Sequence, residues 1–186
     1  MLVETVEKCR RLAAGRAAAA TLAGALLTAA CAQIGFHLPG NPVPVTMQVF
    51  AVLLCGMLLG ARLGAISQIE YLAAGAAGAP VFAGFKGGPA VLAGPTGGYL
   101  FGFVAAAFVV GLLADGAGHR SFARLWTAGL VGVGIVYLFG RAWLSLWLQD
   151  ASGVTSWALG VAPFVGIDAL KAAAAAIICT RKDRWT

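Results

Sequence analysis

Asp168 and Lys171 are the residues of this sequence best placed to do chemistry, because both lie inside an apolar run. They belong to the stretch PFVGIDALKAAAAAIICT, residues 163–180. A helix brings side chains three residues apart onto one face. A carboxylate and an ammonium group on one face can accept and donate hydrogen bonds to a polar ligand. They can also form an internal ion pair that only neutralises itself.

The composition indicates that lipid is the solvent around this helix. Hydrophobic residues make up 60% of the 186 positions and charged residues 11%, with a mean hydropathy of +0.88. A soluble domain has roughly 25% charged residues. Each charge near the middle of a membrane costs about 2.5–3.5 kcal/mol on insertion scales, so such charges usually mark a functional site. We therefore expect a membrane protein with its site near Asp168 and Lys171.

Six apolar runs predict an all-α membrane protein with six transmembrane helices in a single domain, residues 1–186. The runs cover residues 17–36, 46–59, 63–77, 98–114, 122–146 and 163–180. The second and third runs are short for a crossing, which needs about 20 residues. A tight turn that carries Arg62 should join them.

The basic residues predict the orientation of these helices. Apart from Arg141 and Lys171 within the runs, nearly all lie in the tails, residues 1–16 and 181–186, and in alternate links, at Arg62, Arg120 and Arg124. The other links contain Lys86 alone, so the positive-inside rule predicts cytoplasmic N- and C-termini. Because these residues form no patch with aromatic side chains, the net charge of +6 does not indicate nucleic-acid binding.

The longest non-cytoplasmic link, between the third and fourth helices, is the loop GAPVFAGFKGGPAVLAGPTGG. It is rich in glycine and proline but apolar, and long loops without secondary structure are usually functional or disordered. Phe82 and Phe85 favour burial over disorder. We expect the loop to pack back over the helix bundle.

The remaining polar residues carry weaker predictions. Glu70 is expected to be packed, hydrogen-bonded or protonated within the third helix. Arg141 either reaches the membrane interface beside neighbouring tryptophans or contacts a ligand. His37 and His119 have no metal-like spacing and, like Lys86, are expected at the surface.

The first helix carries small residues at helical spacing. Ala20 and Gly24 align with Ala17 and Thr28, and Ala19 aligns with Ala23. Small residues at such spacing let helices approach closely. This face either packs inside the bundle or binds a partner subunit.

Enzyme chemistry has little support in the sequence. There is no GxxxxGK[ST] phosphate loop and no HExxH pair, and the four cysteines show no CxxC spacing. No nucleophile accompanies Asp168 and Lys171, and no metal or cofactor is expected. A binding or transport function is favoured.

Four segments resemble the BioY family, the biotin-specific S components of energy-coupling-factor (ECF) transporters. They are NPVPVTMQVFAVLLCGMLLGARLGAIS, YLAAGAAGAPVFAG, GPTGGYLFGF and DALKAA, and the resemblance runs from about residue 17 to 179. It implies a multi-pass protein of the bacterial cytoplasmic (inner) membrane that binds biotin from outside with high affinity. Its implied partners are a transmembrane T component and two cytoplasmic ABC ATPases, which fits the missing phosphate loop.

The resemblance also implies site residues. It assigns biotin binding to Asp168, Lys171 and the loop after the third helix, and it makes the small face with Ala20 and Gly24 the docking surface for the T component. Asp168 can accept from the ureido N–H groups of biotin, and Lys171 can donate to its carbonyl or carboxylate. The apolar walls are expected from Phe82, Phe85 and Tyr99.

One departure concerns the polar loop residue, typically asparagine, that contacts the ligand in relatives. Gly84 and Phe85 occupy this region here, so a backbone group, Gln48 or Tyr99 is expected to substitute. Two other functions stay open on the residues alone: a solitary carrier for biotin or another small vitamin, and an intramembrane enzyme that uses Asp168 and Lys171.

Overall fold

Helices form nearly all of the regular structure. The computed structural model describes residues 2–115, 121–150 and 152–182, and side chains within 14–115, 121–150 and 152–180. The elements described are α1 (Leu2–Ala32), β1 (Gly35–Phe36), β2 (Val45–Thr46), α2 (Gln48–Ala76), α3 (Pro89–Ala93), α4 (Gly97–Asp115), α5 (Phe122–Trp147), α6 (Val154–Gly160) and α7 (Val165–Lys182). Most side chains of the basic tails, together with His119 and Arg120, lie outside the described part.

Helix α2 folds back on itself at Gly60, which has φ 78° and ψ 177°. Gln48 Nε2 lies 2.8 Å from the Tyr71 hydroxyl although the two residues are 23 positions apart. A continuous helix would separate them by about 34 Å. Residues 48–59 and 61–76 are therefore two antiparallel arms. The expected tight turn between two short helices is present, and the chain reverses at Gly60, two residues before Arg62, because this backbone conformation is essentially restricted to glycine.

The arms of α2 lie at the centre of the bundle. They pack against α1, α4 and α7, and α5 packs against α4 and α7. The fully buried side chains include Leu53, Met57, Leu125 and Val136. Many leucines point outward instead, as a lipid-facing surface requires; among them are Leu26, Leu138, Leu146 and Leu170. This is a mostly helical membrane-type fold.

Four of the described helices, α1, α2, α4 and α5, are long and apolar enough to cross a membrane, and the bent pair α6–α7 is a possible fifth. Helix α1 begins at Leu2, well before the expected residue 17, and ends at Ala32, before the expected residue 36. The expected bounds of 98–114 and 122–146 agree with α4 and α5 to within one residue.

Helix α6 was not expected, and it lies in a segment that the sequence analysis treated as a link. Asp150 stabilises its first turn by accepting hydrogen bonds from the Ser156 N–H and the Ser152 hydroxyl, both at 2.8 Å. These bonds hold the pKa of Asp150 below its ordinary value. A bend of 47° separates α6 from α7. Helix α7 consequently starts at Val165, two residues after the expected Pro163.

Two loops cover the end of the bundle at which α7 begins. The first contains the antiparallel strands β1 and β2, with Gly35 opposite Thr46. The second contains α3 and a tight hairpin in which Phe82 pairs with Lys86. Phe82 is buried, as expected, and its ring lies 5.5 Å from the ring of Tyr71. Phe85 is 71% exposed, contrary to expectation, because it occupies the hairpin tip with φ 56°.

Candidate ligand-binding site

A cavity of about 350 Å³ lies beneath the two loops, between α2, α4, α5 and α7. Its walls are mostly apolar, with Val49, Leu100, Phe103, Val136 and Phe164 facing inward. A small number of polar side chains lines the rest. A mostly apolar pocket with a few placed polar groups is the usual design of a small-molecule site.

The polar side of the cavity is built around the carboxylate of Asp168. Lys171 Nζ lies 2.6 Å from Asp168 Oδ1, and the Tyr137 hydroxyl donates to Asp168 Oδ2 at 2.7 Å. Lys171 also donates to the carbonyl of Thr46 at 2.6 Å. Asp168 is 2% exposed and Lys171 6% exposed. A buried pair of this kind is stable only when such hydrogen bonds satisfy both charges.

The start of α7 explains why this charge lies here. Asp168 is in the first turn of the helix, where its N–H donates to the Phe164 carbonyl at 2.8 Å. A helix N-terminus favours a carboxylate because of its partial positive charge. Lys171 follows one turn later and crosses to β2 of the first loop. The pair therefore connects α7 to the strand that covers the cavity.

A second polar group lies at the start of α2. The Gln48 side chain accepts a hydrogen bond from the Thr46 hydroxyl at 2.9 Å and donates one to the Tyr71 hydroxyl at 2.8 Å. Tyr71 in turn donates to the carbonyl of Val81 at 3.2 Å. Gln48 lines the cavity with Thr46, so the two arms of α2 and the first loop hold its amide in a fixed orientation.

Tyr99 is held by close packing on two sides. Its hydroxyl donates to the Gly160 carbonyl at 2.8 Å. A Cβ atom added at Gly140 would overlap the Tyr99 ring, and one added at Gly160 would overlap its hydroxyl. The glycines of α5 and α6 thus make room for a tyrosine that forms part of the cavity wall.

The structure brings five of the seven predicted binding residues to one cavity: Asp168, Lys171, Phe82, Tyr99 and Gln48. Gly84 and Phe85 do not line it. They form the tip of the 82–86 hairpin with φ 71° and 56°, which points the Phe85 ring into the surroundings.

Sequence reasoning missed several lining residues. Tyr137 was not singled out, because a tyrosine in an apolar helix carries no signal of its own. The first loop was treated only as a link, although its prolines Pro42 and Pro44 line the cavity. His37 and Lys86 are exposed, as expected, but they also lie at the cavity rim.

Gln33, directly after the last residue of α1, is a further residue that the sequence did not reveal. Its Nε2 donates to the carbonyl of Phe82 at 3.1 Å, and its Oε1 accepts from the N–H of Phe85 at 2.9 Å. These bonds attach the 82–86 hairpin to α1. Because Phe82 forms part of the cavity wall, Gln33 positions that wall without lining the cavity.

The proposed docking residues of α1 face different surroundings. Gly24 is buried, and a Cβ atom there would lie 2.9 Å from Ser67 Cβ of α2. This close approach leaves no space for a partner, so Gly24 packs inside the bundle. Ala20, on the same face one turn earlier, is half-buried. The outward-facing small residues include Gly15, Ala19 and Ala23.

Glu70 and Arg141 both lie away from the cavity. Glu70 accepts a hydrogen bond from the Thr21 hydroxyl at 2.8 Å, between α2 and α1. The Arg141 guanidinium donates to the Gly153 carbonyl at 3.4 Å and lies 5.9 Å from the centroid of the Trp157 ring. Among the described residues there is no group of three metal-ligating side chains.

Comparisons with known proteins agree with this architecture. The model of the BioY family matches residues 6–186. The biotin transporter BioY of Thermotoga maritima is 46% identical over 144 residues, which are 77% of this chain and 83% of that one. The probable biotin transporter BioY of Pyrococcus horikoshii is 43% identical over 155 residues, 83% of this chain and 88% of that one.

A solved structure is also similar. The crystal structure of the S-component for biotin from an ECF-type ABC transporter has a TM-score of 0.74 to this chain at 27% identity. The match covers 96% of this chain and 93% of that one.

Proposed function

The chain belongs to the BioY family, and from that premise we propose that it is the high-affinity biotin-binding S component of an ECF-type importer. It is a multi-pass membrane protein whose relatives are named as transporters. The observation that carries the proposal is the apolar cavity with Asp168, Lys171 and Tyr137 on one side. This arrangement suits a ligand with an apolar ring system and few polar groups.

The polar cluster retains capacity for a ligand. Each carboxylate oxygen has two lone pairs, and each Asp168 oxygen accepts one described hydrogen bond. Lys171 has three N–H donors and uses two of them. Asp168 can thus accept from the ureido N–H groups of biotin, while Lys171 donates to the ureido carbonyl. Phe82 and Tyr99 contact the thioether ring.

Lys86 is the proposed partner of the biotin carboxylate. The charge of Lys171 is already matched by Asp168, whereas Lys86 lies at the cavity rim and forms no ion pair within the described part of the chain. A carboxylate at the rim also keeps part of its hydration. Neutralising the ligand tail as an amide should weaken binding to the wild type several-fold. It should have little effect on Lys86→Ala, and an equal loss in both proteins would exclude Lys86.

The proposed topology has six crossings with both termini in the cytoplasm: α1, the two arms of α2, α4, α5, and α6 with α7. In support, Gly60 lies beside Asp115 at the end of α4, and Arg124 donates to the Leu113 carbonyl at 2.9 Å. The turn of α2, the end of α4 and the start of α5 therefore share one end, with Arg62 nearby. The cavity lies at the opposite end of the bundle. We infer that it opens on the non-cytoplasmic side of the cytoplasmic (inner) membrane of a bacterium.

The proposed partners are a transmembrane T component and two ABC ATPases. The chain has no phosphate loop, and its structural relative is described as part of an ECF-type ABC transporter. On α1, the exposed residues Gly15, Ala19 and Ala23 offer the outward small-residue face for the T component.

Purification of the chain in detergent, followed by calorimetric titration with biotin, tests the ligand assignment. We expect one biotin per chain, returned unchanged on denaturation. Failure to bind biotin would overturn the proposal, and conversion of the ligand would support the enzyme alternative. Uptake by the chain alone in sealed vesicles, compared with uptake in the presence of ATPase partners, separates a solitary carrier from an S component.

A further inference from the structure

A second hollow lies on the outer surface of the bundle, between α5 and the α6–α7 pair. This lateral groove has a volume of about 600 Å³, and its lining includes Leu130, Gly134, Leu138, Arg141, Trp157 and Ala169. Tyr137 lines both the groove and the ligand cavity, so its side chain stands between them. The groove itself belongs to the surface that faces lipid.

The part of the groove between Leu130 and Arg141 matches one leaflet of a membrane in length. Along α5 the lining runs from Leu130 to Ser145, and the helix rises about 16 Å over the part between Leu130 and Arg141. This is about half of the ~30 Å hydrocarbon core of a bilayer. A Cβ atom added at Gly134 would meet nothing within 4 Å, so the middle of the groove is open. Its shape suits one acyl chain.

The upper end of the groove carries a positive charge. The Arg141 side chain is exposed, and its described contacts are the Gly153 carbonyl and the Trp157 ring. No carboxylate forms an ion pair with it within the described part of the chain. Trp147 and Trp157 are exposed near the same end, and such aromatic residues favour the membrane interface. Arg141 thus presents unused N–H donors at the level of lipid headgroups.

We propose that the lateral groove binds one anionic phospholipid of the outer leaflet. An acyl chain fills the apolar part between Leu130 and Leu138, and the headgroup phosphate accepts hydrogen bonds from Arg141. The planar guanidinium suits a phosphate because it can donate two parallel hydrogen bonds. The inference rests on the proposed topology, which puts the Arg141 end of α5 at the outer leaflet, and it does not depend on the identity of the ligand in the cavity.

Native mass spectrometry of the delipidated full chain, titrated with phosphatidylglycerol or phosphatidylcholine, tests this site. We expect one tightly bound phosphatidylglycerol on the wild type, and at least fivefold weaker binding to Arg141→Gln. Gly134→Leu, which fills the open middle of the groove, should weaken binding to a similar degree. Arg124→Gln is the matched control, because it removes a partly exposed guanidinium at the other end of α5.

Biotin titration of the same variants checks that they are folded, and Arg141→Gln decides the question if Gly134→Leu fails to fold. Equal phosphatidylglycerol binding by the wild type and Arg141→Gln would overturn the proposal. Equal affinity of the wild type for both lipids would likewise exclude the anionic headgroup. A dimer that persists without lipid and is lost in Gly134→Leu would assign the groove to a second copy of the chain instead.

Discussion

Tyr137 on α5 donates a hydrogen bond of 2.7 Å to Asp168 on α7, on the oxygen that Lys171 leaves free. The carboxylate is therefore fixed from two helices. These two contacts fix the orientation of the carboxylate and hence of its remaining lone pairs. The carboxylate therefore does not have to rotate when a ligand binds. This relationship connects a carboxylate that is only 2% exposed to the helix that borders the lateral groove.

The Asp168–Lys171 pair should contribute to both stability and affinity. Asp168→Asn and Lys171→Ala should each weaken biotin binding at least tenfold, about 1.4 kcal/mol. Each should also lower the thermal stability, because the remaining charge stays buried without its partner. In the double variant Asp168→Asn, Lys171→Met, stability should recover while affinity does not. Unchanged affinity in both single variants would refute the site assignment.

Tyr137→Phe removes one hydrogen bond to Asp168 and keeps the ring. We expect a three- to tenfold loss of biotin affinity. A hydrogen bond to a charged group contributes about 1.5–3 kcal/mol, and the ligand can replace part of the bond that Asp168 loses. Since the hydroxyl acts through Asp168, the loss should be smaller in an Asp168→Asn background. Additive losses, measured by calorimetry, would indicate a separate role.

Gln33→Leu should speed the release of biotin. The substitution removes the hydrogen bonds that attach the 82–86 hairpin to α1, so the loop opens more often while the cavity lining is unchanged. We expect a three- to tenfold faster dissociation rate in stopped-flow exchange, with the association rate little affected. Phe85→Ala, at the exposed tip of the same hairpin, should leave the dissociation rate within twofold of the wild type. A large effect of Phe85→Ala would restore it as a ligand contact.

Gly60→Ala should destabilise the bundle by about 1–3 kcal/mol, because the backbone at Gly60 lies in a region open essentially to glycine. A Cβ atom there would also lie 2.6 Å from a carboxylate oxygen of Asp115. Gly166→Ala, where an added Cβ meets nothing within 4 Å, is the control and should change thermal stability little. Equal melting temperatures for the two variants would contradict the role of Gly60 in the turn.

The two faces of α1 can be separated by bulky substitutions. Ala23→Trp, on the outward face, should reduce co-purification with the T component and leave biotin affinity unchanged. Gly24→Leu should reduce stability and biotin binding together, because Gly24 packs against Ser67. If Ala23→Trp left assembly intact, docking would have to involve another surface.

The sequence predicted some parts of this protein well because their signal is local. Apolar runs gave the bounds of α4 and α5, and the spacing of Asp168 and Lys171 put both side chains on one helical face. The orientation that the basic residues indicate stays a prediction. The resemblance to the BioY family, carried by short motifs, is confirmed by the family match over residues 6–186.

Other features depended on contacts between distant residues. Periodicity could not show that Phe85 points outward, since that depends on the positive φ at the hairpin tip. It could not show that Gly24 packs inward and Ala23 outward, because the first helix is rich in small residues all round. Helix α6 has only 7 residues, so its hydrophobic pattern was too short to identify. Its first turn also depends on a hydrogen bond to Asp150, which periodicity does not show.

What the sequence determined by itself is the solvent, the helical class, the family and the charged pair, because each follows from residue types or from spacings within one helix. What the tertiary structure decided is the cavity. Tyr137, Thr46, Gln48 and Lys171 come from α5, β2, α2 and α7, and only the packing of these elements brings their polar atoms together around one cavity. That packing sets the hydrogen-bond geometry between helices, and a local sequence pattern does not specify it.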